Sequence, residues 1–264
     1  MMNKKQEKND ITVIIPVFNV DKTLFQNAIT SIIDQFEQPD ELLIVVGDKT
    51  DDYKLVSKFD YGGLNVTILN HTESTSFANQ MNMGVKACKT KWFSFLEQDD
   101  EYSKIWIKNV INYRKVYDNI TLFLPIIVDV DKTDTFIGLS NQAVWAHTFS
   151  DEMGILDNES LQLNQNFNFD GMVMLKDVYN EFGGIKESMK LTFMYEFLLR
   201  MTFNSHNAMI IPKLGYKHLN LREGGLFDKY RGELSPEEST WWLEIAKKEY
   251  YHVNDRGTQY EKTE

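Results

Sequence analysis

The segment Leu96-Glu97-Gln98-Asp99-Asp100-Glu101 sets four carboxylates within five residues, directly after the apolar run Trp92 to Leu96. Acids crowded at the end of a buried run repel one another, which raises their pKa values when nothing offsets the charge. A divalent cation offsets it, and Mg²⁺ or Mn²⁺ binds through one or two carboxylates together with substrate phosphates. The cluster is therefore a candidate metal and phosphate site. A solvated acidic turn is the plain alternative.

The elements that position this cluster follow from hydrophobic periodicity. Thr12 to Val17 is a short β-branched run, suited to a strand buried on both faces of a parallel sheet. Asp21 offers an N-cap to a helix carrying Leu24, Phe25, Ala28, Ile29, Ile32 and Ile33. Leu42 to Val46 and Val66 to Leu69 read as strands. A second amphipathic helix carries Phe77, Met81, Gly84, Val85 and Cys88, and Trp92 to Leu96 is a fourth strand. The order strand, helix, strand, strand, helix, strand predicts a doubly wound α/β sheet, which binds ligands beyond the carboxyl ends of its strands. Asn19, Asp48 and the acidic cluster all follow strand ends.

The second half is less regular. The pattern predicts a helix over about Ser103 to Tyr117, a strand over Thr121 to Val128 and a loop over Gln162 to Phe169. Helices follow over Asp177 to Phe182 and Phe193 to Phe203, parted by Gly183-Gly184. Ser235-Pro236-Glu237-Glu238 opens a last helix toward Tyr250, with an N-cap serine, proline at the first position and a capping-box glutamate. This organisation predicts a polar tail over 1–10, one α/β domain over 11–220 and a C-terminal appendage over 221–264.

The chain of 264 residues has 28 Lys and Arg against 39 Asp and Glu, a net charge of −11. That field repels nucleic acid and anionic lipid, so a nucleic-acid-binding role is set aside. One cysteine, Cys88, excludes a disulfide framework and a multi-cysteine zinc site. No run reaches the ~20 apolar residues of a membrane span, and the N-terminal residues lack a signal-peptide core. A cytoplasmic location is the expectation. No P-loop, three-glycine nucleotide fingerprint or nucleophile elbow is present.

Four motifs in order resemble glycosyltransferase family 2, the inverting nucleotide-sugar transferases of the GT-A fold. They are Thr12 to Asn19 (TVIIPVFN), Leu43 to Asp52 (LIVVGDKTDD), Asn82-Met83-Gly84 with Ala87, and the acidic cluster at the D-x-D position. The resemblance implies a GT-A-like, mostly parallel mixed sheet flanked by helices, with 11–100 binding the nucleotide and 101–220 the acceptor. It further implies that Pro16 and Asn19 shape the loop under the nucleotide, that Asp48 bonds the uracil and that Asn82 belongs to the donor site. Glu97 and Asp99 would take the ribose and metal positions, with Asp100 sharing a Mn²⁺ or Mg²⁺ ion.

The departures from the family pattern are specific. Gly47 replaces the first of paired aspartates, Glu97 the first acid of D-x-D, and Met81 an arginine. An acidic chain that binds a diphosphate needs local bases. Lys217 to Gly225 (KHLNLREGG) supplies them on a Gly-Gly turn that can close as a flap. The resemblance gives His218 to the metal and Arg222 to the diphosphate, with Lys229 and Arg231 as weaker candidates; a structural histidine and a surface-paired arginine are the alternatives. The family's Glu-Asp pair, which supplies the general base, aligns with Phe193-Met194. Glu196 is the nearest acid, set against an i,i+4 ion pair with Arg200, and Asp170 is the runner-up.

The expected function is metal-dependent inverting transfer of a sugar from a nucleotide-sugar, a UDP-sugar by preference, to a hydroxyl of a glycan or other glycoconjugate. A non-catalytic nucleotide-sugar-binding protein is the rival. A nucleotidyltransferase fits less well, because Pro16 to Asn19 is not the basic Gly-rich loop that chemistry needs.

Overall fold

In a computed structural model, which describes residues 9–47, 50–70, 76–142, 154–165, 167–220, 222–223 and 225–261, the first strand β1 (Ile11–Val17) is buried at every position. Ile11, Val13, Ile15 and Val17 face one hydrophobic cluster, while Ile14 faces the other. Two-sided burial is why the run is continuously apolar rather than alternating. Each such side chain contributes about 1.5–3 kcal/mol, so the sheet centre is a firm anchor for the loops at its ends.

The chain continues through α1 (Lys22–Ile33), β2 (Glu41–Val46), α2 (Thr50–Val56), β3 (Val66–Asn70), α3 (Phe77–Ala87), β4 (Trp92–Phe95) and β5 (Glu101–Tyr102). It then forms α4 (Trp106–Val116), β6 (Ile120–Val130), β7 (Phe136–Ser140), β8 (Ile155–Leu156), α5 (Asn158–Leu163) and β9 (Val173–Leu175). The last elements are α6 (Lys176–Glu181), α7 (Phe193–Phe203), β10 (Asn207–Leu219), α8 (Leu226–Glu233) and α9 (Pro236–Glu249). The Asp21 carboxylate caps α1 by accepting the amides of Thr23 and Leu24, and Ser235 caps α9.

The sheet order is β3-β2-β1-β4-β9-β6-β10-β5, with β7 on β6 and β8 on β10. β3, β2, β1 and β4 run parallel. β9 is antiparallel to both β4 and β6, and β10 is parallel to β6. β1, β2, β4, β6 and β10 therefore all end at the same edge of the sheet. That edge is where an open α/β sheet binds ligands.

Helices α1 and α4 cover one face, through Phe25, Ile29 and Ile32 and through Trp106, Ile107 and Val110. On the other face α3, α6, α7 and α9 share a core that includes Met81, Tyr179, Phe197 and Trp242. α3 sits so close that a Cβ on Gly84 would collide with Ile14 and press Val45. The Asn82-Met83-Gly84 motif thus has a packing cause in its glycine. Among the described residues no helix is long and apolar enough to cross a membrane.

Several elements differ from the sequence expectation. Helix α2 fills the stretch between β2 and β3. The loop expected over Gln162 to Phe169 begins inside α5. β10, thirteen residues long, stands where no strand was expected. Its pairing with β6 shifts register between Ile210 and Leu214 and again before Tyr216, which breaks the alternation that marks a strand in sequence. Residues 1–8 of the expected tail, together with Asp48, Leu221 and Gly224, lie outside the described residues.

Candidate functional site

The ends of β1, β4 and β10 enclose a cleft of about 480 Å³. Pro16 and Phe18 line it from the first strand, Glu97, Gln98 and Asp99 from the acidic loop, and His218, Leu219 and Asn220 from the end of β10. Arg222 and the α8 side chains Lys229 and Arg231 form a basic wall. Phe77 and Gln80 of α3 close the far side. Sequence distance is bridged here by the sheet: Asp99 and Arg222 are 123 positions apart, and Arg222 Nη1 lies 2.9 Å from Asp99 Oδ2. Arg222 Nη2 also donates to the Asn19 carbonyl at 3.2 Å, with Asn19 in a left-handed conformation, φ 55°.

His218 donates its Nδ1 proton toward Asp129 Oδ1 at 2.9 Å, and Asp129 also accepts the Ser140 hydroxyl at 2.6 Å. Burial works against the imidazolium, but the Asp129 bond and the carboxylates of Asp100, Asp170 and Glu97 push its pKa up to about 10. The acids of the cluster are raised above their usual range as well. Burial, followed by the charges of Asp170, Asp100 and Asp99, holds Glu97 well above an ordinary glutamate. Burial lifts Asp100 to about 7 against the pull of His218. Asp170 is raised by burial too, with His218 and a hydrogen bond to Glu97 opposing the rise. The crowding inferred from the sequence is real, and it recruits Asp170 from a remote loop. Gly171 lets that loop turn: its φ is 70°, and a Cβ there would strike the Tyr216 ring.

Several expected site residues do other work. Glu196 is fully buried away from the cleft, with Oε1 2.8 Å from Lys186 Nζ and Oε2 2.9 Å from Arg200 Nη2. Arg200 in turn donates to the Phe182, Gly184 and Val253 carbonyls. The expectation of a catalytic Glu196 is corrected: both oxygens face cations inside the core, so the i,i+4 ion pair is its role. A Glu196→Gln variant should lose about 3–5 kcal/mol of stability, because buried Arg200 loses its counter-charge and Lys186 keeps only the more distant Glu249 carboxylate. Denaturant unfolding reads that loss, while turnover per folded molecule stays at the wild-type level.

Asn82 is also corrected. Its Oδ1 accepts from Tyr179 Oη at 2.7 Å and the Ile185 amide at 2.9 Å, and its Nδ2 donates to the Ile185 carbonyl. It pins the Gly183-Gly184 turn onto α3 and does not line the cleft. Asp100, expected to share the metal, anchors β10 instead: Oδ1 takes the Leu219 amide at 2.8 Å and Oδ2 the Tyr216 hydroxyl at 2.7 Å. Asp48 lies outside the described residues. Met194, in the place of the expected base, is buried.

Tyr216, Asp129 and Gln80 were missed. Tyr216 Oη accepts the Glu97 amide at 3.1 Å while donating to Asp100, and so shapes the acidic loop. Only Asp129 left a local signal, as an acid inside the apolar run that ends β6. Gln80 packs against the backbone at Gly47. Its Nε2 donates to the Val17 and Val45 carbonyls and would lie 3.1 Å from a Cβ on Gly47, so a side chain there would need Gln80 to give by a few tenths of an ångström.

Comparison with known proteins places this geometry. The family model described as glycosyl transferase family 2 matches residues 12–182, well over half of the chain. The chain belongs to glycosyl transferase family 2. Two curated relatives of this family-2 chain are an uncharacterized glycosyltransferase of Haemophilus influenzae and the minor teichoic acid biosynthesis protein GgaB of Bacillus subtilis. The first is 28% identical over 127 residues, 45% of this chain and 38% of the relative. The second is 30% identical over 123 residues, 45% of this chain and 13% of the relative. The family-2 chain therefore matches well under half the length of either.

Among solved structures, S. aureus TarS residues 1–349 in complex with UDP-GlcNAc superpose with a TM-score of 0.67 at 15% identity, covering 89% of this chain and 65% of that one. A longer TarS structure gives 0.63 at 15% identity, with 90% and 39% covered. This likeness is one of fold, and the fold is GT-A.

Among the described residues no three His, Cys, Asp or Glu side chains converge as a ready-made metal cage. A cation at this cleft would be held by two side chains and completed by substrate oxygens. The site has the chemistry for that. Asp99 and His218 both line the cleft, and Asp129 orients the His218 ring as carboxylates orient metal-bound histidines. A cation there would have to displace the His218 proton, held with a pKa of about 10, and compete with Arg222 for Asp99.

Proposed function

We propose that this family-2 chain transfers a sugar, with inversion, from a UDP-sugar to a hydroxyl of a glycan or other glycoconjugate. The observation that carries this reading is the meeting of Asp99, His218 and Arg222 in one cleft at the carboxyl ends of β1, β4 and β10. The UDP-GlcNAc bound to the structurally similar TarS supports uridine as the base.

In this reading Pro16, Phe18 and Asn19 flank the nucleoside, and Arg222, Lys229 and Arg231 neutralise the diphosphate. The chain's net charge of −11 would otherwise repel that group. Asp99 and His218 would hold Mn²⁺ or Mg²⁺ beside it; such an ion, when bound, stabilises charge on a departing diphosphate. Asp170, buried behind Glu97 and hydrogen-bonded to it, takes up the proton of the attacking hydroxyl through Glu97, which lines the cleft. It joins the Glu97 cluster from outside the acidic loop, as Asp129 does through His218, and burial raises its pKa, the direction that suits a general base. Arg222 and α8 exclude water that would hydrolyse the donor.

One observation favours a second reading, binding without transfer: the family's base position is Met194, and the neighbouring Glu196 is consumed by Lys186 and Arg200. A melting-temperature screen with UDP-sugars, with and without Mn²⁺, tests the donor. A ligand at one hundred times its Kd stabilises by about 2.7 kcal/mol, which is readily seen. The expected result is stabilisation by at least one UDP-sugar, increased by Mn²⁺, with UDP released over time. Stabilisation without UDP release favours binding alone, and no stabilisation under any condition refutes the donor.

A further inference from the structure

The loop between β1 and α1 is held by side chains from three other elements, each bonded to backbone. From α3, Gln80 Nε2 donates to the Val17 carbonyl at 2.9 Å. From α2, Asp52 accepts the amides of Asn19 and Val20 at 2.7 and 3.1 Å. From the acidic loop, Gln98 makes a two-way pair with Phe18: its Oε1 accepts the Phe18 amide at 3.1 Å and its Nε2 donates to the Phe18 carbonyl at 2.7 Å. All three side chains are buried. Four consecutive residues, Val17 to Val20, are thereby fixed by partners far away in sequence.

The three clamps differ in what they join. Gln80 and Asp52 tie the loop to helices that carry no acid of the cluster. Gln98 sits between Glu97 and Asp99, so its amide joins the nucleoside side of the cleft directly to the phosphate side. A side-chain amide accepts through its oxygen and donates through its nitrogen, two separate atoms that match the amide and the carbonyl of a single residue. At this position a carboxylate would face the Phe18 carbonyl with like charge and add to an already crowded acid cluster.

We propose that Gln98 is a positioning residue that fixes the distance between the nucleoside end and the diphosphate end of the donor cleft. This rests on the UDP-sugar reading above. The loop keeps Gln80 and Asp52 when Gln98 is lost, so a nucleoside alone still finds its seat. A ligand that spans both ends then meets them out of register, and loses the advantage of being held at two points at once.

The test is calorimetry of uridine and of UDP with Mn²⁺ on the wild-type chain, Gln98→Met and Gln98→Ala, with unfolding curves for each. Gln98→Met keeps the length of the side chain and deletes both hydrogen bonds. Losing two such bonds corresponds to roughly a 10-fold effect on binding. The expected result is UDP weakened about 10-fold or more in both variants, uridine weakened less than about 3-fold, and a KM for donor raised more than kcat is lowered. Equal weakening of uridine and UDP, or none, overturns the proposal. So does failure of both variants to fold, which would make Gln98 a core residue. A wild-type chain that binds no UDP sinks the donor reading itself, and is told apart because it appears before any substitution is made.

Discussion

Asp99→Asn is expected to lower turnover about 10²- to 10³-fold, the usual cost of losing one preorganised electrostatic contact to the departing group. The substitution is informative because it is nearly isosteric. Asparagine can still accept a hydrogen bond from Arg222 Nη1, now 2.9 Å from Asp99 Oδ2, and Arg222 keeps its second bond to the Asn19 carbonyl. The basic wall therefore stays in place, and what disappears is one negative charge facing the cleft. The pair is mostly buried, but asparagine keeps the hydrogen bond from Arg222, so the melting temperature should fall only modestly. Calorimetry with UDP should show the Mn²⁺-dependent part of binding lost. Unchanged turnover in Asp99→Asn would refute the assignment of Asp99 to the diphosphate and cation.

The sequence was most legible where burial was simplest. β1, β2 and β4 are buried on both faces, so their runs Ile11–Val17, Glu41–Val46 and Trp92–Phe95 stand out without any tertiary knowledge. α2 is short and opens on Thr50, Asp51 and Asp52, which reads as a turn; its identity comes from Val56 reaching the core. β10 was hidden by Pro212, Gly215 and three register shifts. Its absence from the reading left His218 on a supposed loop rather than at a strand end. In the site, Asp99 could be found because charge next to a strand end is a local signal, while His218 and Arg222 stood out as bases beside a Gly-Gly turn in an acidic chain. Asp170, Tyr216 and Asp129 meet the cluster only through the sheet order, which places β6, β9 and β10 beside β4. Glu196 misled for the same reason: an acid near a motif position is legible, but the cations that surround it, Lys186 and Arg200, are a tertiary fact.

Asp170→Asn should leave UDP binding close to wild type and reduce turnover about 10²- to 10⁴-fold, the range lost with a general base. Its effect on stability should have the opposite sign. Asp170 is buried and its pKa is raised, chiefly by burial. Between its ordinary pKa and the raised one, the unfolded chain has already ionised while the native chain still holds the proton. The unfolded state is thus favoured progressively as pH rises through that window, and native stability falls. Asparagine removes the titration, so Asp170→Asn should melt higher than wild type at pH 8 and nearly the same at pH 4. Turnover works from the ionised form and should climb with pH through the raised pKa in the wild type, a limb missing from the residual activity of the variant. A carboxylate retained for packing alone would show the reverse, with stability lost and rate per folded molecule preserved. A gain in melting temperature joined to a loss of rate marks an acid that the fold holds at a cost for what it does to a bound hydroxyl.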